Sequence, residues 1–193
     1  MSGPATAVQP ATREAHYAGL MVCARGQGND DALARMHASW ASGESALPPC
    51  WGLSPPAFLE LFEWHFPGYR CAQPVHAVRT ADTARAEEVA ELEQLMIAHR
   101  AGRSPSECWI ACIVATACLG SDHLWQDLGL WCRDDLSCLM QRNFPALAAK
   151  NVHNMKWKKF LYKQLCGAEG IYVCRAPSCE VCADYQSCFG SED

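Results

Sequence analysis

Four cysteines close together near the C-terminus constrain this chain more than any other feature of its sequence. Cys174, Cys179, Cys182 and Cys188 follow the spacing C-x4-C-x2-C-x5-C, with few apolar residues between them. Because such a segment cannot build a hydrophobic core of its own, a bound metal or cluster is the expected source of its structure. Thiolates bind zinc, copper(I) and iron–sulfur clusters, and disulfides are the alternative.

The spacing of these cysteines favours an iron–sulfur cluster over zinc. Structural zinc sites usually contain two C-x2-C pairs, whereas only Cys179 and Cys182 form such a pair here. The first three cysteines match the C-x4-C-x2-C start of plant-type ferredoxins, although the fourth ligand of those proteins lies much farther along the chain. The spacing alone therefore does not decide between an iron–sulfur cluster and zinc.

Length, cysteine content and charge define the class of protein. A chain of 193 residues can fold without disulfides, and most of the 13 cysteines lie outside the C-terminal motif, in apolar stretches where free cysteine packs as a small hydrophobic residue. The N-terminal sequence does not have the pattern of a signal peptide, and no eighteen-residue window is apolar. We expect a cytoplasmic protein that binds no membrane. The net charge of -5 argues against nucleic-acid binding.

Apolar residues recur at helical spacing along most of the chain, and no stretch of strand length alternates. We therefore expect an all-α protein, with a mobile N-terminal tail at 1–25, a compact helical bundle at 26–167 and an irregular cysteine-rich metal-binding tail at 168–193. The central helix is predicted at 105–119, because these residues are apolar on almost all sides. Ser104-Pro105-Ser106-Glu107 precedes it as a capping box.

Further helices are predicted before and after this central one. Their expected ranges are Asp30 to Ser42, Ser54 to Phe66, Asp82 to His99, Arg133 to Phe144 and Met155 to Gly167. A short helix is also predicted after Ser121, with Asp122 as its N-cap and Asp127 exposed to solvent.

Several polar residues in these helices have both a structural and a functional interpretation. His37 lies among apolar positions and is interpreted as a packed core histidine. Cys108 and Cys112 share a helix face, and close helix packing is favoured over metal binding. The lysines of the last helix form either a solvated face or a positive patch for an oxyanion or an acidic partner; they are Lys156, Lys159 and Lys163. The sequence contains no recognisable catalytic or nucleotide-binding motif.

The C-terminal half of the chain resembles the NifQ family of nitrogen-fixation proteins. The resemblance spans roughly residues 105–190 and depends most on the Met155-Lys-Trp-Lys-Lys stretch and on the cysteine spacing that ends in Cys188-Phe-Gly. The stretch that begins at His123 also contributes, whereas the first hundred residues contribute little.

The resemblance implies an iron–sulfur carrier, not an enzyme, that donates molybdenum as a Mo-Fe-S cluster for the iron–molybdenum cofactor of nitrogenase. It implies an Fe3S4 or Fe4S4 cluster and molybdenum held as MoFe3S4. The implied ligands are Cys174, Cys179, Cys182 and Cys188, with Cys166 and His123 as further candidates. The implied partners are the NifE–NifN scaffold complex, the NifH protein and molybdate or another molybdenum source.

Two other functions would use the same cysteines. An electron-transfer or redox-sensing iron–sulfur protein would undergo reversible one-electron reduction and would need no molybdenum. A zinc-stabilised interaction module would be colourless, and it would unfold locally when a chelator removed its zinc.

Overall fold

The computed structural model describes residues 12–70 and 85–168 together with Gln186, Cys188 and Gly190; for residues 166–168 it describes the backbone alone. All regular structure in this part of the chain is helical, which confirms the predicted all-α class, whereas residues 169–185 of the predicted metal-binding tail lie outside the described residues. The helices are α1 (Arg13–Val22), α2 (Asp30–Ala41), α3 (Pro55–His65), α4 (Ala86–Ala98), α5 (Ser106–Ala117), α6 (Leu124–Leu128), α7 (Arg133–Asn143), α8 (Pro145–Ala148) and α9 (Trp157–Ala168), with a 3-10 turn at Pro49–Gly52. None of the described helices is long and apolar enough to cross a membrane.

Helix α5 is the central helix, as its sequence predicts. It packs against α3, α4, α6 and the 3-10 turn, and Ile110, Ile113 and Val114 are fully buried. The Glu107 carboxylate accepts hydrogen bonds from the backbone N–H groups of Gly102, Arg103 and Ser104 at 2.6, 2.8 and 3.1 Å. This carboxylate fulfils its part of the predicted capping box and fixes the start of the helix.

Residues 13–22 form helix α1, although the sequence analysis placed them in a mobile N-terminal tail. The Thr12 hydroxyl caps this helix by accepting from the backbone N–H of Ala15 at 3.2 Å. The helix packs along α2, and the Tyr17 hydroxyl donates to Asp31 at 2.6 Å. Leu20 is the one fully buried residue of α1, and Tyr17 and Met21 pack against the core beside it, so the helix has an apolar stripe at helical spacing.

His37 lies in an aromatic cluster between α2, α3 and the 3-10 turn, as predicted for a core histidine. Its ring centroid is 5.4 Å from that of Phe62 and 5.5 Å from that of Tyr69, and the side chain is 1% exposed. Burial, with a smaller contribution from His16, lowers the pKa of His37 to about 4. The imidazole is therefore neutral at neutral pH.

A second buried histidine connects three helices. Nδ1 of His65 on α3 lies 2.5 Å from the Asp30 carboxylate on α2, and Nε2 lies 2.8 Å from the Ser106 hydroxyl on α5. Burial lowers the pKa of His65 in spite of the neighbouring carboxylate. The neutral ring can therefore donate to Asp30 and accept from Ser106, which satisfies all three side chains and holds α2, α3 and α5 together.

The last helix, α9, packs against α4. The Tyr162 hydroxyl donates to the Glu88 carboxylate, and Nε of Arg85 donates to the same carboxylate at 2.6 Å. Phe160 and Leu161 are buried in the hydrophobic core. These contacts place α9 firmly on the helical body, directly before the cysteine motif.

Candidate metal-cluster site

Of the four cysteines predicted as cluster ligands, the structure describes one. Cys174, Cys179 and Cys182 lie outside the described residues, and Cys188 is half-buried against the hydrophobic core. The carbonyl of Cys188 accepts a hydrogen bond from the backbone N–H of Lys156, which directly precedes α9, at 2.8 Å. The last cysteine of the motif therefore docks at the N-terminal end of α9.

Two further contacts hold this docked segment. The carbonyl of Gln186 accepts from the backbone N–H of Gly190 at 2.9 Å and from Nζ of Lys156 at 3.4 Å. A Cβ atom at position 190 would lie 2.5 Å from the Gln186 carbonyl oxygen, which is too close for any side chain. The glycine of the Cys188-Phe-Gly sequence thus allows the turn around Cys188 to close.

His123 occupies the N-cap of α6, the position that the sequence analysis gave to Asp122. Its backbone is extended, its side chain is half-buried, and its N–H donates to the Gln126 side chain at 3.2 Å. Asp122 lies one residue outside the helix and is exposed. Its carbonyl accepts from Nζ of Lys158 at 2.6 Å, so the residue next to His123 is tied to the start of α9.

Asp127 is buried, although the sequence analysis expected it to be exposed. Its side chain is 1% accessible and forms an ion pair with Lys158, which also donates to the Gly120 carbonyl at 2.9 Å. Lys158 was absent from the predicted lysine face. Nζ of Lys158 thus neutralises a buried carboxylate and satisfies the free carbonyl after α5.

Cys166, the other lower-ranked candidate ligand, belongs to the opposite end of α9. Its backbone lies in the last turn of the helix, and its side chain is outside the described atoms. At 1.5 Å per residue, it is about 15 Å from Lys156 along the helix axis. The structure therefore brings His123 and Cys188 to the same end of α9 and leaves the Cys166 backbone at the far end.

The two cysteines of α5 differ in their exposure. Cys112 is half-buried, its thiol donates to the Gly52 carbonyl at 3.6 Å, and burial raises its pKa to about 11. Because metals bind the thiolate, this thiol is poorly suited to coordination. Cys108 is exposed and so does not have the predicted packing role. Throughout the described ranges, no three His, Cys, Asp or Glu side chains are arranged to hold a metal ion.

The lysines of α9 face in different directions. Lys159 and Lys163 are exposed, as predicted, whereas Lys156 is half-buried against the docked C-terminal segment. Lys158 faces α6 and its carboxylate. The predicted lysine face is therefore divided between structural contacts and open surface.

Comparison with known proteins gives a consistent result. The model of the NifQ family matches residues 32–190, a range that includes His123, Cys166 and the four-cysteine motif. The chain is 44% identical over 173 residues to the protein NifQ of Azotobacter vinelandii, covering 83% of this chain and 87% of that relative. It is 42% identical over 154 residues to a NifQ homolog of Sinorhizobium fredii, covering 78% of this chain and 65% of that relative. No solved structure matches the chain.

Proposed function

The chain belongs to the NifQ family, and from this membership we propose that it carries molybdenum for assembly of the iron–molybdenum cofactor of nitrogenase. The cargo is a Mo-Fe-S cluster held by Cys174, Cys179, Cys182 and Cys188. The observation that carries the proposal is the family match itself, because it extends through the entire cysteine motif.

The described ends of the motif support a site formed on the body of the protein. The chain leaves α9 at Ala168 and is bound again to the N-terminal end of the same helix at Cys188. These points are about 18 Å apart along the helix axis, whereas the intervening segment 169–187 would reach about 60 Å if fully extended. The chain is therefore long enough for the other three cysteines to converge with Cys188.

The donor types fit a cluster that contains both iron and molybdenum. Thiolates suit iron, and three cysteines meet the needs of the three irons in a MoFe3S4 cluster. Molybdenum then takes the fourth cysteine or a nitrogen donor. We assign His123 to this role ahead of Cys166, because His123 lies at the end of α9 where Cys188 docks.

The proposed activity is storage and transfer, with no catalytic turnover. Cys188 is half-buried and partly accessible, so ligands of a partner protein can reach a cluster bound there and replace the cysteines one at a time. The proposed recipients are the NifE–NifN scaffold complex and the NifH protein. Burial of such a cluster would slow its release, and a site on the surface suits a carrier.

The test is a molybdenum-transfer assay with purified NifE–NifN complex and NifH protein. We expect Cys182→Ala to abolish molybdenum delivery with almost unchanged far-UV circular dichroism, because helices α1–α9 lie outside the motif. The matched control is Cys138→Ala, an exposed cysteine on α7, which should deliver normally. Normal delivery by the Cys182 variant would refute the proposal.

The metal content of the same preparations separates the other functions. Iron and sulfide without molybdenum, with reversible one-electron reduction, would indicate an electron-transfer or redox-sensing protein. Zinc alone would indicate a structural module.

A further inference from the structure

A small pocket lies beside the turn that connects α8 to α9. Its volume is about 60 Å³, which on the scale of one water per 15 Å³ is room for about four water molecules. Its lining includes Lys150, His153, Met155, Phe160, Lys163 and Gln164. This is several times the volume needed for one water molecule, so a small anion can enter.

The walls of the pocket combine cationic donors with an apolar floor. Lys150, His153 and Lys163 are exposed at its rim, while Met155 and Phe160 are 7% and 3% exposed below them. The lining contains no Asp or Glu, and no carboxylate in the described ranges forms an ion pair with either lysine. In a chain of net charge -5, this local excess of positive charge favours an anionic ligand.

Lys150 is held in place by the His99 ring. Its Nζ donates to Nε2 of His99 at 2.8 Å, and Nδ1 of the same ring donates to the Leu95 carbonyl at 2.8 Å. This bond leaves two further N–H donors on the Lys150 ammonium group. A ligand that binds here meets a lysine whose position is already set.

The turn that forms one wall is rigid. The Asn151 side chain bonds both backbone groups of Met155, donating to the carbonyl at 2.9 Å and accepting from the N–H at 2.8 Å. Asn154 has φ +53°, and Arg133 donates to its carbonyl at 2.9 Å and to its side chain at 3.0 Å. Such pre-ordering lowers the entropy lost when a ligand binds.

The same turn continues into the docking point of the cysteine motif. Met155 lines the pocket, and the backbone N–H of the next residue, Lys156, bonds the Cys188 carbonyl. Two consecutive residues of this turn therefore contact the pocket and the last predicted cluster ligand.

We propose that this pocket binds a tetrahedral oxyanion and, resting on the proposed function, that the anion is molybdate held for transfer to the cysteine motif, whose last member, Cys188, docks on the same turn. Lys150 and Lys163 neutralise its two charges, and His153 and Gln164 offer N–H donors. Charge-assisted bonds of this kind are the stronger hydrogen bonds in proteins. The proposal concerns binding of the anion before any change at molybdenum.

The test is calorimetric titration of the cluster-free full chain with sodium molybdate, sodium sulfate and sodium phosphate in turn. We expect one molybdate per chain and a loss of affinity of about tenfold to a hundredfold in Lys163→Gln and in Lys150→Gln. Lys159→Gln is the matched control, since it removes an exposed lysine of the same helix outside the pocket. Its affinity should stay within about twofold of the unaltered chain.

Three results would overturn the proposal: binding of none of the anions, an equal loss of affinity in Lys159→Gln, or binding of sulfate or phosphate with exclusion of molybdate. Circular dichroism of each variant shows whether it is folded.

The Cys182→Ala variant should still bind molybdate, which separates the pocket from the cluster. Normal molybdenum delivery by the double variant of Lys150 and Lys163 would refute the pocket's role in supply and leave the carrier function intact. Molybdate binding together with normal delivery by Cys182→Ala would refute the carrier function and leave the molybdate pocket intact.

Discussion

The core around α5 and the start of α9 both use polar side chains to join helices, but they differ in charge and access. In the core, His37 and His65 are at most 1% exposed, and burial lowers the pKa of both rings. At the start of α9, the Lys158 side chain is 18% exposed and pairs with the Asp127 carboxylate. Neutral histidine rings thus take part in joining the core helices, whereas an ammonium–carboxylate pair holds α9 against α6.

The difference in access distinguishes side chains that stabilise the fold from side chains that a ligand or partner can reach. Asp30, His65 and Ser106 have the order of groups found in a hydrolase triad, yet His65 and Ser106 are fully buried and Asp30 is 3% exposed. No substrate can reach them, so their role is to join helices. Around α9, Asp127 is equally buried, but the Lys158 side chain is 18% exposed and Cys188 is partly accessible. Access therefore identifies the region around α9 as the one suited to ligands and partners.

The largest expected effect is at the start of α9. Lys158→Met should leave the buried Asp127 carboxylate unpaired and lower the free energy of unfolding by about 3–5 kcal/mol, as measured by urea denaturation. Lys159→Met, an exposed lysine of the same helix, is the control and should change it by less than about 0.5 kcal/mol. Equal losses in the two variants would show that the ion pair does not hold α9.

The neutral histidines of the core should make stability depend on pH. The pKa of His37 is about 4 in the folded protein and about 6.5 in the unfolded chain. Between these pH values the unfolded chain therefore binds the proton more readily than the folded protein does. The neutral His37 ring therefore contributes about 3 kcal/mol to the free energy of unfolding. This contribution is complete above pH 6.5 and is lost as the pH falls towards 4.

His37→Phe should keep the aromatic packing and remove this part of the pH dependence. His65 acts in the same direction, so some dependence should remain. Urea denaturation at several pH values compares the free energy of unfolding of His37→Phe with that of the unaltered protein. An unchanged slope in His37→Phe would contradict the assignment.

The smallest expected effect is in the closed network of the core. Ser106→Ala removes the hydroxyl that lies 2.8 Å from Nε2 of His65 and leaves a buried acceptor without a donor. The expected loss is about 1–3 kcal/mol in urea denaturation. Ser121→Ala removes an exposed hydroxyl and should have almost no effect. If both variants match the unaltered protein, the network contributes nothing to stability.

The sequence predicted those parts of the fold that local patterns determine. Helix α5 follows from a run that is apolar on nearly every side, and the core position of His37 follows from its helical spacing among apolar residues. Helix α1 was missed although Tyr17, Leu20 and Met21 recur at three- and four-residue steps, which was the available signal for it.

Contacts between distant residues explain the errors at the site. Asp127 and Lys158 are 31 residues apart, and no spacing within α6 or α9 indicates that they meet. Residues beside Asp127, Leu124 and Leu128, are buried, which was the available signal for its burial. The cysteine spacing predicts a ligand set, of which the structure describes Cys188. The position of His123 at the same end of α9 as Cys188 depends on how α6 and α9 pack.

The most direct test of the carrier function is the metal and sulfide content per chain after anaerobic purification from cells supplied with iron and molybdate. An electron paramagnetic resonance spectrum of the same sample reports the type of cluster. The account predicts molybdenum together with several irons and sulfides, all lost in Cys179→Ala. Zinc alone, or iron without molybdenum under nitrogen-fixing conditions, would contradict it.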